Sequence, residues 1–252
     1  MSAEEPFDDR RRHTLLFLDQ IRDFSPVFLD TEIDATALTA HRAAAREQGL
    51  RRSVVAYIVH AAARVLAAHP DANTSIRGRL EPAVVRHAAT SAKVTLDKRL
   101  DGRRVVLATV IPEPEHTGLA GIQDHLDQAI AADPDTDPRF AAVRDLRALP
   151  GPQARERFRA AADRLDLRPA LTGTFSVTSL GHRAVDGFHS VGGTTLTLGV
   201  GRITDRPVVR DGRIAVAPVL RLSLAFDHRV IDGAEAADIL TETKDLLEAG
   251  PL

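Results

Sequence analysis

The 252-residue chain is 44% hydrophobic, enough to bury a substantial core as one large domain or two small ones. Its formal net charge of −2 provides no broad basic field for nucleic acid or an anionic membrane, so a small-molecule or protein partner is expected. With no cysteine, the chain has no disulfide, thiolate metal site or sulfur nucleophile of its own.

The start, Met-Ser-Ala-Glu-Glu-Pro, is acidic and polar rather than signal-like. No stretch approaches the roughly 18 apolar residues of a membrane span, so the expected location is the cytoplasm. Residues 1–25 read as an N-terminal arm in which Arg10, Arg11 and Arg12 precede Leu15, Leu16 and Leu18. The arginines are expected to form a solvated arm or, as the alternative, a docking surface. Residues 26–252 read as a single domain. Val27–Ile33 has strand character, and Asp34 precedes an alanine-rich helix ending near Gly49. Ser53 opens the strongest helix signal, Val54 to His69, apolar on most of its circumference and stopped by Pro70.

Short strand-like segments follow near 73–76, 83–85, 88–96 and 104–111, the last two joined through the hairpin-type dipeptide Asp101-Gly102. Leu119, Ile122, Leu126 and Ile130 have helical spacing. A stretch at about 133–169, rich in Pro, Arg, Asp and Ala, predicts two amphipathic helices interrupted at Pro150-Gly151-Pro152. It is too poor in apolar residues for a separate fold and is read as a helical excursion. Strand segments are expected at 172–178, 194–200, 207–209, 213–217 and 219–226, then a helix from about 234 to 248. In the last strand Leu220, Leu222, Leu224 and Phe226 share one face, opposite Arg221 and Ser223. The irregular mixture of strands and helices predicts an α+β fold with a mostly antiparallel or mixed sheet.

The final strand runs into Asp227-His228-Arg229, and Asp232-Gly233 precedes the last helix. A histidine on a loop held between rigid elements is well placed as a general base, because its ordinary pKa of about 6.5 leaves it largely neutral at cytoplasmic pH. Arg229 can pair with Asp227 or Asp232. The same residues also suit a capped helix start with a solvated His-Arg pair.

The stretch Phe226-Asp-His-Arg-Val-Ile-Asp-Gly233 resembles the His-x-x-x-Asp-Gly signature of the catalytic domain of dihydrolipoamide acyltransferases, the core subunits of 2-oxoacid dehydrogenase complexes. Gly173-Thr-Phe-Ser-Val-Thr-Ser-Leu-Gly181 and Gly199-Val-Gly-Arg-Ile203 resemble two further segments of that family, and the likeness covers about residues 10–250. It implies a chloramphenicol-acetyltransferase-like mixed sheet flanked by helices, assembling as a homotrimer with its active site between subunits. It further implies His228 as general base, Thr178 as the hydroxyl that donates to the oxyanion, and Asp232 as the residue holding the active-site loop in shape. An oxyanion donor of this kind is worth about 3–4 kcal/mol of barrier. Ser179 and Gly181 become candidates for substrate contacts, and Asp227, Arg229 and Gly233 for shaping the site.

The implied donors are thioesters of coenzyme A, lipoyl or phosphopantetheine carriers, with no tightly bound cofactor and no metal; partners would be acyl-CoA or an acyl-carrier or lipoyl protein. Ser179 stands where the family has asparagine, Ser190-Val-Gly-Gly-Thr-Thr195 replaces a segment with a paired proline, and the excursion is longer than expected of a complex core. No lipoyl or subunit-binding domain precedes residue 10. These departures favour a stand-alone acyltransferase acting on a thiol, hydroxyl or amine acceptor, with a complex core served by lipoyl groups in trans, or a catalytically idle scaffold, as alternatives.

Other groups lead to weaker readings. His182 and His189 flank Asp186-Gly187 but lack the further ligands of a metal site. His60 and His69 read as packing or helix-end residues. Ser53, Ser176 and Ser223 have no nucleophile-elbow context. Gly192-Gly193 and Gly199-Val-Gly201 precede no helix signal, so they read as tight turns or a close subunit approach rather than a dinucleotide fingerprint.

Overall fold

The computed structural model describes residue 5 and residues 7–250, so residues 1–4 and 6 of the expected arm and the last two of the expected domain lie outside the described residues. In chain order come α1 (Arg12–Gln20), β1 (Pro26–Asp34), α2 (Thr36–Glu47), α3 (Val54–Ala68), β2 (Thr74–Arg77), β3 (Ala83–Arg86), β4 (Ser91–Leu100) and β5 (Arg103–Pro112). They are followed by α4 (Pro114–Ala131), α5 (Ala141–Ala148), α6 (Gly151–Ala162), α7 (Arg168–Leu171), β6 (Phe175–Ser179), β7 (Leu196–Arg210), β8 (Arg213–Asp227) and α8 (Gly233–Glu248).

Six strands form one mixed sheet in the order β1-β8-β7-β6-β4-β5, while β2 and β3 pair separately. The β4–β6 and β6–β7 pairs are parallel and the rest antiparallel. The period-two pattern of β8 determines how the sheet is covered. Leu220, Leu222, Leu224 and Phe226 are fully buried and join α3, α4 and α8 in one core. Ser53 caps α3, its Oγ accepting from the amide of Ala56 at 3.2 Å, and ten of that helix's residues are buried.

The expected short strands of the last third are two strands of 15 residues each, with a register break between Val200 and Ile203. Asp211-Gly212 turns one into the other with positive φ at both residues, as a tight hairpin needs. Pro207 is tolerated within β7 because β6 pairs with that strand only as far as Val200, so the missing N–H has no ladder partner to lose. The helix expected from the spacing of Leu119 to Ile130 starts at Pro114 and kinks at Gly118, whose φ of 71° only glycine adopts readily.

Between residues 133 and 171 the two amphipathic helices are α5 and α6, and the second begins at the Gly151-Pro152 step that looked like an interruption. Phe140 anchors this region in a smaller core with Leu96, Leu100, Val105 and Leu107. The arm is not a solvated string of arginines. Arg12 donates to the carbonyls of Leu146 (3.3 Å), Arg147 (2.8 Å) and Leu149 at the end of α5, and Arg10 pairs with Asp8 at 2.8 Å. The unsatisfied carbonyls of a helix C-terminus attract a cation more strongly than water does, which is why the arm docks. Among the described residues no helix is long and apolar enough to cross a membrane.

Candidate active site

The opposite face of the sheet, away from α3 and α8, is polar where β4, β6 and β8 present Lys93, Thr95, Ser176, Thr178 and Ser223. The segment 181–195 lies against it. Ser223 Oγ donates to the carbonyl of Phe188, and a Cβ at Gly199 or Gly201 would overlap the carbonyls of Phe188 and Asp186. These glycines therefore mark a close approach, as one reading of the sequence had it, but to the chain's own loop. Gly192 likewise abuts Ser176, and its amide donates to Thr197 Oγ1 at 2.8 Å.

His228 begins the turn after β8. Its amide donates to the carbonyl of Ser25 at 2.9 Å, so the end of the arm pins its backbone. The ring lies 5.6 Å, centroid to centroid, from Phe226, and its Nδ1 is 3.4 Å from Asp232 Oδ1, longer than a well-formed N–H···O bond. The histidine side chain is 47% exposed.

The turn itself is held by its neighbours. Asp227, 2% exposed, receives Arg229 Nε at 2.9 Å and Nη2 at 2.6 Å, and also the Arg229 amide at 3.2 Å. Arg229 Nη1 continues to the carbonyl of Gly78 at 3.2 Å, and the Asp227 amide donates to the Thr195 carbonyl at 2.9 Å. The pairing expected of Arg229 is thus with Asp227. Asp232 stands at the N-cap of α8 without making a side-chain cap bond, and its side chain is 89% exposed. Gly233 starts that helix with open space around it.

Thr178 sits near the end of β6, half-buried, and accepts a hydrogen bond from Thr95 Oγ1 at 2.8 Å. That bond leaves the Thr178 proton free to donate elsewhere. At the next residue Ser179 Oγ accepts from the Gly181 amide at 3.3 Å, so these two candidates meet each other in the turn that launches the crossing segment. Sequence reasoning missed Thr95; the alternation of Lys93, Thr95 and Asp97 with Val94 and Leu96 was the available signal.

The register separates the two halves of the expected machinery. Thr178 is level with Gly199, and Gly199 with Ser223, so His228 lies five residues further along β8 and two strands across. At ~3.3 Å per residue and ~4.8 Å per strand, the two positions are roughly 15–20 Å apart within one protomer. A single reacting carbonyl cannot touch both.

Of the other groups singled out, His60 is buried on α3 with an unpartnered Nδ1, and His69 contacts Glu242 at 3.2 Å. His189 lies 3.6 Å from Asp30. Ser176 shares a hydrogen bond with Thr194 at 2.8 Å. Among the described residues no three His, Cys, Asp or Glu side chains cluster as a metal site would require.

Residues 154–251 match the family model described as 2-oxoacid dehydrogenases acyltransferase (catalytic domain), which includes His228, Asp232 and Thr178. The C-terminal part of the chain is therefore similar to that catalytic domain. Among its curated relatives is the dihydrolipoyllysine-residue acetyltransferase component of the pyruvate dehydrogenase complex of Bacillus subtilis, 28% identical over 225 residues. That match covers 88% of this chain but 44% of the relative, so the chain spans less than half the length of the protein it resembles. A probable dihydrolipoamide acetyltransferase from Listeria monocytogenes has the same fold, with a TM-score of 0.72 at 22% identity over 98% of this chain and 95% of the other. A chloramphenicol acetyltransferase shares it more loosely, with a TM-score of 0.53 at 16% identity over 97% and 100% of the two chains.

Proposed function

We propose that this chain is an acyltransferase that moves an acyl group from a thioester donor to a thiol acceptor, both of the coenzyme A, lipoyl or phosphopantetheine type, with His228 as general base. The observation that carries the reading is the exposed imidazole on a turn clamped from both sides by the buried Asp227–Arg229 pair. With Asp232 near Nδ1, the favoured tautomer keeps the proton on that nitrogen and leaves the Nε2 lone pair for the acceptor. Nε2 takes the acceptor's S–H proton as sulfur attacks the acyl carbonyl. The resulting oxyanion receives the Thr178 hydroxyl, and collapse of the tetrahedral intermediate expels the donor sulfur, which recovers the proton from the imidazolium. Thr95 points the Thr178 proton toward that task by donating to its oxygen.

Because His228 and Thr178 of one copy are too far apart, the site needs His228 of one protomer beside Thr178 of another. This supports a symmetric oligomer, and a homotrimer is the assembly proposed. No resident cofactor enters these steps.

The stand-alone reading, with a thiol, hydroxyl or amine acceptor and no dehydrogenase complex, is favoured by the helical excursion at about 133–169 and by Ser179, which engages Gly181. Acceptor preference separates the two. The test is transfer from acetyl-CoA to dihydrolipoamide, compared with His228→Ala. A fall of about 10²–10⁴-fold is expected. Transfer that is undiminished in the variant refutes the assignment, and transfer to amines or alcohols but not to dihydrolipoamide selects a stand-alone form with a non-thiol acceptor.

A further inference from the structure

A cleft of about 270 Å³ opens beside the catalytic turn, between the arm, the end of β2, α6 and α7. Asp227 and Arg229 form part of its wall, whereas His228 does not line it. Its charge is unbalanced. Five guanidinium groups face it, and two are neutralised, Arg155 by Asp19 at 2.6 Å and Arg229 by Asp227. Arg77, Arg159 and Arg168 have no carboxylate within 4.0 Å among the described residues, although Asp23 and Asp163 also line the cleft.

Arg168 is the deepest of the three. Burial lowers its affinity for the proton, and its one acceptor among the described residues is the carbonyl of Ala162 at 3.3 Å, although it has five N–H groups. Its remaining donors are open to the cleft, since the sealed and unpartnered side-chain atoms among the described residues belong to His60, Asn73 and Arg221. Asp163 and Asp227 act on it only from beyond salt-bridge distance, and a desolvated cation without a direct ion pair is costly unless something anionic completes it. Arg77 donates to the carbonyl of Asp163 at 3.1 Å, and Arg159 stands one helical turn from Arg155 on the same face of α6.

We propose that this cleft binds a phosphoryl oxyanion, held by Arg77, Arg159 and Arg168 beside the turn that carries His228. Cations arriving from three separate elements suit a tetrahedral dianion with several acceptor oxygens better than a carboxylate, which one guanidinium fork satisfies. The volume lies just below the ~300–1,000 Å³ of sites that enclose a whole drug-sized ligand, so the occupant is phosphate itself or the phosphorylated end of a longer molecule. Two of the three arginines belong to the helical excursion. The site gives that excursion a role that acyl transfer does not require, and the proposal stands independently of His228 chemistry.

The test measures thermal stability of the full chain in inorganic phosphate against chloride at matched ionic strength, for the wild type, Arg168→Gln and the exposed-residue variant Arg77→Gln. Phosphate at ten times its Kd should raise Tm by about 3–6 °C in the wild type, and both substitutions should remove most of that rise. His228→Ala should keep it, so loss of acyl transfer and loss of anion binding are read separately. Kinetics then identify the source. A KM for coenzyme A raised in Arg77→Gln, with KM for phosphate-free dihydrolipoamide unchanged, supports docking of a carrier's phosphate; both KM values unchanged support a free oxyanion. No phosphate-specific rise in the wild type, or an equal rise in both variants, overturns the proposal.

Discussion

Replacing Arg229 by glutamine should be among the more damaging single changes at the catalytic turn, although the arginine itself touches no reacting atom. The substitution removes the guanidinium contacts at 2.6 and 2.9 Å from a carboxylate that is 2% exposed, leaving Asp227 with backbone amides from Arg229 at 3.2 Å and Ser25 at 3.5 Å. Breaking a buried ion pair by removing one partner costs about 3–5 kcal/mol; the two remaining N–H donors put this case near the lower end, about 3 kcal/mol. For a domain of this size that corresponds to a Tm lower by roughly 6–12 °C. Asp227→Asn should cost less, because the arginine it strands is 19% exposed and borders an open cleft. The double variant Asp227→Asn/Arg229→Gln should recover part of the loss, since it buries no uncompensated charge. Calorimetry of the three variants decides the matter. A loss below about 1 kcal/mol for Arg229→Gln, or a larger loss for Asp227→Asn, would refute the view that a buried carboxylate shapes the turn.

Lys93 supplies a pH-dependent prediction. Burial lowers its pKa from 10.5 to about 8, with the charge of Arg168 adding to the effect, while its ammonium meets the Gly192 carbonyl and lies 4.9 Å above the Phe17 ring. Between pH 8 and 10.5 the unfolded chain holds this proton more tightly than the folded one, so wild-type stability should climb through that window relative to Lys93→Met, as followed by urea denaturation. A flat difference would show that the ammonium is not desolvated. Gly201→Ala should destabilise by about 1–3 kcal/mol by forcing the 186–188 segment off the sheet, seen as a lower denaturation midpoint. Thr178→Val should lower kcat by about 10²–10³-fold. Thr95→Val should act through Thr178, reducing kcat by about tenfold at constant KM, with Thr95→Ser restoring it; a change in KM alone would argue for a substrate contact instead.

Much of this architecture could be read from residue pattern alone. The two-residue period of Leu220 to Phe226 identified both the strand and its core face, and Ser53 with Pro70 bracketed α3 to within two residues. Asp227-His228-Arg229 was recognisable as a loop between rigid elements. The continuity of β7 was hidden because Pro207 and Gly201 are strand breakers by local propensity. Their tolerance depends on which neighbour is missing and which loop lies above, and both are tertiary facts. The docking of Arg12 on the end of α5 joins residues 134 positions apart, and the arginine cleft draws on residues 77, 159 and 168. No local window contains either. Asp232 drew attention through its place in the His-x-x-x-Asp-Gly motif, yet the ion pair that holds the turn is made by Asp227, one of the two partners the sequence offered Arg229.

Under the proposed roles, the distance between His228 and Thr178 along the sheet also makes catalysis a property of pairs of chains. Mixing copies lacking the imidazole with copies lacking the hydroxyl, after dissociation and reassembly, should regenerate sites in which each defective chain supplies what the other has lost. Random association of equal amounts would revive about one quarter of the sites from two inactive preparations. Dilution to the point where subunits separate should abolish turnover while leaving every protomer folded.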